Sequence, residues 1–197
     1  IYTLRNLHDM DRIKTHLDDG VKRAVVVGAG FIGLELVENL IALGIKTTLV
    51  ELQDQVLPPM DKEMTAPLLK VLAEQGVDVR LGESAEAFEQ RDGDLIVRLN
   101  SGDIVSEQMV ALGSGVRPEN TLAVEAGLDV GPRGGIRVND HLQTADPDIY
   151  AVGDVIEVTD FVLQSPTQVP LAGPANRQGR IAADNIFGRE SRYSGTP

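Results

Sequence analysis

Three glycines and one acid carry the spacing from which chemistry can be read in this chain of 197 residues. Gly28, Gly30 and Gly33 form a G-x-G-x-x-G pattern inside Val25 to Glu35, Val-Val-Val-Gly-Ala-Gly-Phe-Ile-Gly-Leu-Glu. In such a turn Gly28 makes the tight bend, Gly30 lets a pyrophosphate approach the backbone without meeting a Cβ, and Gly33 lets the following helix pack closely on the strand. Taken alone, a glycine-rich stretch of this kind is also a common structural turn. Its setting adds content: a run of Val precedes it, an amphipathic helix follows, and a second strand, Lys46 to Val50, ends in Glu51 near the spacing of a ribose-binding acid. Together these features predict a dinucleotide site.

Glu51 also predicts which dinucleotide. A carboxylate accepts hydrogen bonds from the 2′- and 3′-hydroxyls of a ribose but repels a 2′-phosphate. At an effective dielectric of ~20 and a separation of ~4 Å, each charge pair interacts with roughly 4 kcal/mol of raw Coulomb energy. No Lys or Arg stands in Leu52 to Val56 to reverse that preference, so NADH is expected over NADPH. The plain alternative is an acid that simply ends a strand.

The bulk composition narrows the remaining classes. With 42% hydrophobic residues and mixed charge the chain is an ordinary globular one. A net charge of −12 without a Lys/Arg cluster argues against nucleic acid and anionic membrane as partners. An acidic protein that binds an anionic dinucleotide needs local positive potential, which the free N–H groups at a helix N-terminus supply. There is no cysteine, so no disulfide, thiolate nucleophile or Cys-type metal site lies within this chain. His8, His16 and His141 are scattered without ligand spacing, and no metal is expected. No apolar run approaches the ~20 residues of a membrane span and no signal peptide is visible, so a cytoplasmic protein is expected. The first residue is Ile1, and Tyr193-Ser194-Gly195-Thr196-Pro197 is a turn-like string, so a piece of a longer protein is expected.

The elements that position these residues follow from periodicity. Met10, Ile13 and Leu17 have helical spacing within Leu7 to Leu17, closed by the Asp18-Asp19-Gly20 turn signal. Lys22 to Val27 reads as a central parallel strand, and Phe31 to Leu43 as a helix with Leu36, Leu40 and Leu43 on one face and Gly44 beyond it. Asp61 or Thr65 caps a helix reaching Gln75; Pro67 falls in the first turn if Thr65 is the cap and predicts a kink if Asp61 is. Val77 to Leu81 completes a β-α-β-α-β order, one mononucleotide-binding half of a doubly wound sheet. Ala85 to Gln90 and Leu95 to Leu99 then flank Asp92-Gly93, a hairpin signal, and a turn at Ser101-Gly102 leads to Ile104-Val105 before Met109 to Leu112. A three-stranded antiparallel meander thus replaces the next helical crossover. From Gly113-Ser114-Gly115-Val116-Arg117-Pro118 the composition shifts toward Gly and Pro, as at a domain boundary. Beyond it, Asn120 caps a short helix to Ala126, Ile136 to Val138 and Asp148 to Val152 read as strands, a loop passes through Ser165-Pro166, and a helix runs from near Gly173-Pro174 to about Phe187.

The meander resembles that of the pyridine nucleotide-disulfide oxidoreductases, the flavoenzymes related to glutathione reductase. Three motifs are similar to theirs: Gly28-Ala29-Gly30-Phe31-Ile32-Gly33-Leu34-Glu35, Leu112 to Pro118, and Thr144-Ala145-Asp146-Pro147-Asp148-Ile149-Tyr150-Ala151-Val152-Gly153-Asp154. Thr3-Leu4-Arg5-Asn6 and Val169 to Arg180 resemble most the branch of coenzyme A-disulfide reductases, NADH oxidases and peroxidases, and NADH-dependent persulfide reductases.

The resemblance implies an α/β fold: a Rossmann-like doubly wound parallel sheet with the meander, the FAD/NAD(P)-binding domain fold, plus a partial FAD domain. Residues 1–20 would be a leader belonging to the FAD domain, 21–114 the NAD(H)-binding domain, and 115–197 the C-terminal part of the FAD domain. The parent would carry FAD and form a homodimer, with a first FAD motif and a redox cysteine upstream and a dimerisation domain downstream. In that case this chain alone would not turn over a disulfide.

By the same resemblance, Phe31 and Glu35 would face the nicotinamide and flavin, with Ile32 beside them at the cofactor. Gly113 and Gly115 would border the nicotinamide side, and Asp154 would reach the flavin's ribityl chain. Leu171 and Ala172 would begin a helix aimed at the flavin's pyrimidine edge. From the residues alone, Phe31 is equally a core residue, Glu35 a solvated acid, Leu112 to Val116 an interdomain turn and Gly153-Asp154 an ordinary turn. Arg117, Arg177 and Arg180 could each meet phosphate or carboxylate groups. The whole protein would be an NADH-dependent FAD oxidoreductase. The alternatives are an NADH:ferredoxin- or rubredoxin-type reductase without a redox cysteine, or a non-catalytic dinucleotide-binding module.

Overall fold

The computed structural model describes residues 1–196, so Pro197, the last residue of the terminal turn-like string, lies outside the described residues. The chain divides into two compact units, Ile1–Gly115 and a second beginning at Val116.

The first unit is built on strand β2 (Arg23–Val27), whose central residues Ala24, Val25 and Val26 are fully buried. A strand so apolar needs cover on both faces and pairing on both edges. It pairs in parallel with β3 (Lys46–Glu51) on one side and β8 (Met109–Leu112) on the other. The sheet extends to β4 (Asp78–Leu81) beyond β3 and to the two-residue β1 (Tyr2–Thr3) beyond β8, in the order β1-β8-β2-β3-β4, all parallel. Residues 1–20 therefore lie with this unit, β1 as its edge strand and α1 (Leu7–Asp18) packing Ile13 into its core.

Alternate residues along β2 separate the two covers. Ala24 and Val26 join Leu36, Val37 and Leu40 of α2 (Phe31–Ala42), Leu72 of α3 (Lys62–Glu74) and Ile13 in one cluster. Val25 instead joins Val50 and Val110 with Val97, Leu99 and Val105 of the meander, β5 (Ala85–Arg91), β6 (Asp94–Leu99) and β7 (Ile104–Glu107). The meander is thus the second cover of the sheet. Its first hairpin turns at Asp92 and Gly93, both with positive φ (52° and 92°), the backbone of a type I′ turn that matches strand twist.

Of the two caps that the sequence leaves open for α3, the structure uses the first. Asp61 is the cap residue of α3, and Thr65 lies within the helix with its hydroxyl donating to the Lys62 carbonyl. Pro67 consequently falls inside α3, where it has no N–H to offer the preceding turn.

The second unit holds a small sheet in the order β11-β10-β9, formed by β9 (Ile136–Arg137), β10 (Ile156–Thr159) and β11 (Pro166–Thr167). A short helix α4 (Thr121–Glu125) precedes it and α5 (Ala172–Ile186) follows it. Residues 148–152, expected as a strand, form only an isolated bridge from Tyr150 to Gln143. Their backbone groups bond within local loops instead, Ile149 to Asp146 and Ala151 to Leu142. The strand lies further on, at Ile156–Thr159, and the segment expected as loop contributes β11.

One charge sits between the main sheet and the meander. Glu107 is 5% exposed; its Oε1 accepts from the Thr48 hydroxyl at 3.1 Å, while Oε2 has no hydrogen-bond partner and lies 3.8 Å from Arg23 Nε. Burial raises its pKa, against the opposing pull of the Thr48 hydrogen bond and of Arg23. The folded protein then holds this proton more tightly than the unfolded chain. Glu107 accordingly favours folding below the ordinary carboxylate pKa, and that contribution is lost as pH rises through the raised folded value. Urea unfolding of Glu107→Gln between about pH 4 and pH 7 is expected to show the variant gaining stability relative to the unmutated chain as pH increases.

Candidate functional site

The turn after β2 is suspended between the ends of both neighbouring strands. Gly28 N donates to the Val50 carbonyl at 2.8 Å, and Gly113 N donates to the Val27 carbonyl at 2.8 Å. Gly28 takes φ +105°, a conformation that side chains resist. Contact adds a second constraint. A Cβ on Gly28 would come within 2.8 Å of the Gly113 carbonyl carbon, one on Gly33 would land on the Gly28 carbonyl oxygen, and one on Gly113 would come 3.1 Å from Gly33 Cα. Three bare backbones therefore touch, which seats the head of α2 directly over the ends of β2 and β8.

Gly30 differs from these three. Its φ is −74°, and no atom lies within 4 Å of a Cβ built there. It is the cap residue of α2, which has neither a side-chain cap nor an acid in its first turn. The first N–H groups of such a helix lack helical partners and carry its positive dipole end, a combination suited to a phosphate. The open space at Gly30 leaves room for one.

Glu51, at the end of β3, is 8% exposed. Its Oε2 accepts from Ala29 N at 2.7 Å and its Oε1 from Gln53 N at 2.8 Å. The acid thus holds the middle residue of the glycine turn against the end of its own strand. A carboxylate has about four acceptor positions, so each oxygen keeps capacity for a further donor.

Above these groups lies a cleft of about 530 Å³, lined by Gly28, Gly30, Glu51, Gly113, Ser114 and Gly115 along one part and by Leu52, Gln53, Glu83, Ser84 and Ala85 along another. This is within the range of roughly 300–1,000 Å³ typical of ligand pockets. Glu51 and Glu83 are its charged side chains, and no Lys or Arg lines it.

Of the residues singled out in the sequence, Gly28, Gly30, Glu51, Gly113 and Gly115 meet in this cleft, while Gly33 packs on Gly28 outside the lining. Phe31 and Ile32, 49% and 37% exposed, stand on the first turn of α2 outside the lining, as does the exposed Glu35 one turn on. Asp154, Leu171 and Ala172 belong to the second unit. Asp154 is exposed in the 3-10 turn Gly153–Val155; Leu171 is the extended cap residue of α5, and Ala172 is its first helical residue.

Two residues were missed from the sequence. Gln178, 1% exposed on α5, accepts from Gly153 N at 2.7 Å and so fixes the turn that carries Asp154. Its signal was a polar side chain in the buried stripe with Ile181 and Ala182. Glu83 reaches the cleft because its N–H donates to the Glu51 carbonyl at 3.0 Å, a pairing with no local sequence signal.

A parallel sheet, a glycine elbow at the head of a helix and an acid closing the next strand define a dinucleotide-binding fold. The family model described as pyridine nucleotide-disulphide oxidoreductase matches residues 1–179, and the chain belongs to that family. It is 36% identical over 195 residues to an NADH oxidase of Methanocaldococcus jannaschii, covering 98% of this chain and 43% of that protein. It is 34% identical over 192 residues to a coenzyme A disulfide reductase of Staphylococcus haemolyticus, covering 97% of this chain and 43% of the relative. Among solved structures, reduced Bacillus anthracis CoADR-RHD superposes with a TM-score of 0.94 at 48% identity, over 99% of this chain and 35% of that one. The chain thus spans less than half the length of each of these relatives.

Two alanine substitutions separate the roles of the glycines. Gly33→Ala drives a methyl group into the Gly28 carbonyl and is expected to cost about 1–3 kcal/mol in urea unfolding. Gly30→Ala, facing open space, is expected to change stability by less than about 1 kcal/mol, the scale of a cap substitution.

Proposed function

We propose that the first unit binds NADH in this cleft and presents it to a flavin held by the rest of the parent protein. The parent is an NADH-dependent FAD oxidoreductase whose electrons pass to a cysteine and then to a disulfide such as coenzyme A disulfide, a persulfide, a peroxide or oxygen. Residues 21–114 are assigned to NAD(H), and 115–197 to the C-terminal part of the FAD-binding portion; residues 1–20, expected as a leader of that portion, pack instead with the first unit. The chain contains no cysteine, so the sulfur step belongs to the parent's other segments.

One observation carries the reading: Glu51 is buried at the cleft with both oxygens oriented by backbone N–H groups and no cation beside it in the lining. Its remaining acceptor positions suit the two ribose hydroxyls, and its charge disfavours a 2′-phosphate. The uncapped N-terminus of α2 would receive the diphosphate, with Gly30 giving the clearance. Gly113 and Gly115 would allow the nicotinamide end to lie against backbone, and Phe31 and Glu35 would face the nicotinamide and flavin in the whole protein. NADH supplies the hydride; the chain's residues bind it, orient it and select it over NADPH. In the second unit, Asp154 and the N-terminus of α5 at Leu171 and Ala172 are assigned to the flavin.

Fluorescence titration tests this directly. NADH is expected to bind the chain at least tenfold tighter than NADPH, the effect of one unfavourable charge contact of roughly 1.4 kcal/mol. Glu51→Gln should weaken NADH binding and narrow the gap, since an amide removes the repulsion but disturbs the turn it braces. Equal dissociation constants for the two dinucleotides in the unmutated chain would rule out the assignment of Glu51.

A further inference from the structure

This inference rests on reading the cleft as the NADH site and concerns the wall that the reading leaves unused. With the diphosphate at Gly28 and Gly30 and the ribose at Glu51, the base falls against Leu52, Gln53, Glu83, Ser84 and Ala85. Leu52 and Ala85 offer it apolar surface. Glu83 is the one charged side chain on that wall.

We propose that Glu83 reads the base, accepting a hydrogen bond from the exocyclic amine of a 6-aminopurine. The backbone around it is fixed from three sides. Glu83 N donates to the Glu51 carbonyl at 3.0 Å, Gly82 N to the Gln53 carbonyl at 2.9 Å, and Ser84 N to the side-chain Oδ1 of Asn100 in the meander at 2.9 Å, while Asn100 N donates to the Ser84 carbonyl at 3.0 Å. The carboxylate is itself oriented. Its Oε2 accepts from the Ser101 hydroxyl at 3.3 Å, and the charge of Arg80 lies near it, so one oxygen is engaged by the protein and Oε1 keeps its acceptor capacity. An anchored acceptor beside the ribose acid discriminates between purines. An amine at C6 donates to it, whereas a keto oxygen at C6 turns a second acceptor toward a negative charge. A site that hydrogen-bonds one substituent rejects the analogue lacking it more strongly than an apolar site does.

The test compares NADH with reduced nicotinamide hypoxanthine dinucleotide, which differs by replacement of that amine with oxygen, in the unmutated chain, Glu83→Gln and Glu83→Ala. The unmutated chain is expected to bind the hypoxanthine form roughly tenfold more weakly or worse. In both variants the gap should fall to within about twofold, because an amide can serve either base and alanine serves neither. Unchanged thermal melts by circular dichroism identify the loss as local. If NADH binds but the two dinucleotides have equal dissociation constants in the unmutated chain, or if the variants keep the full gap, the role of Glu83 is overturned while the NADH reading stands. If neither dinucleotide binds, both are overturned.

Discussion

The first unit depends on the contact of three bare backbones. Gly28, Gly33 and Gly113 lie so close that a side chain on any of them would meet main-chain atoms of another. Their closeness allows the head of α2 to stand over the sheet instead of beside it, with no side chain capping its first N–H groups and Gly30 at the cleft. Glu51 completes the arrangement by holding Ala29 N from below. The same carboxylate that would meet the ribose therefore also shapes the turn that would meet the diphosphate. Packing and the proposed recognition would thus be joined at this one residue.

The meander has a structural and a functional consequence. It covers the face of the sheet that α2 and α3 leave bare, using Val97, Leu99 and Val105 against Val25, Val50 and Val110. That interface also encloses Glu107, an acid with one oxygen unsatisfied, so the layer is held less firmly once the carboxylate ionises. At its other end the meander supplies Asn100 and Ser101, which set the backbone at Ser84 and the side chain of Glu83. A layer that began as a departure from helical crossovers thus becomes one wall of the candidate site.

Most of the first unit was legible because its determinants are local. The glycine spacing, the Asp92-Gly93 turn and the continuous apolar run at Val25–Val27 each specify a conformation within a few residues. The cap of α3 was less clear because Thr65 and Asp61 are both cap residues by type; the Thr65 hydroxyl instead bonds within the helix, to Lys62. The second unit is less legible for a physical reason. Ile149 to Val152 has a strand's composition, yet its backbone partners come from a loop; the true strand, Ile156–Thr159, contains the buried Glu157, whose charge meets Arg137 Nε at 3.3 Å. Gln178 and Glu83 were similarly hidden, since their partners are set by packing between elements distant in sequence. Phe31 and Glu35 matched a motif, but their exposed positions lie outside the cleft lining.

The central claim is that NADH lies along the cleft running from Gly113–Gly115 over the head of α2 to Glu51. Backbone amide shifts of the isotope-labelled chain, followed as NADH is added, test it most directly. Saturable changes are expected, concentrated at Gly28, Ala29, Gly30, Phe31, Gly113 and Gly115, with smaller ones at Gln53 and Glu83. Saturation with those amides unmoved, or changes centred on the opposite edge of the sheet, would contradict it.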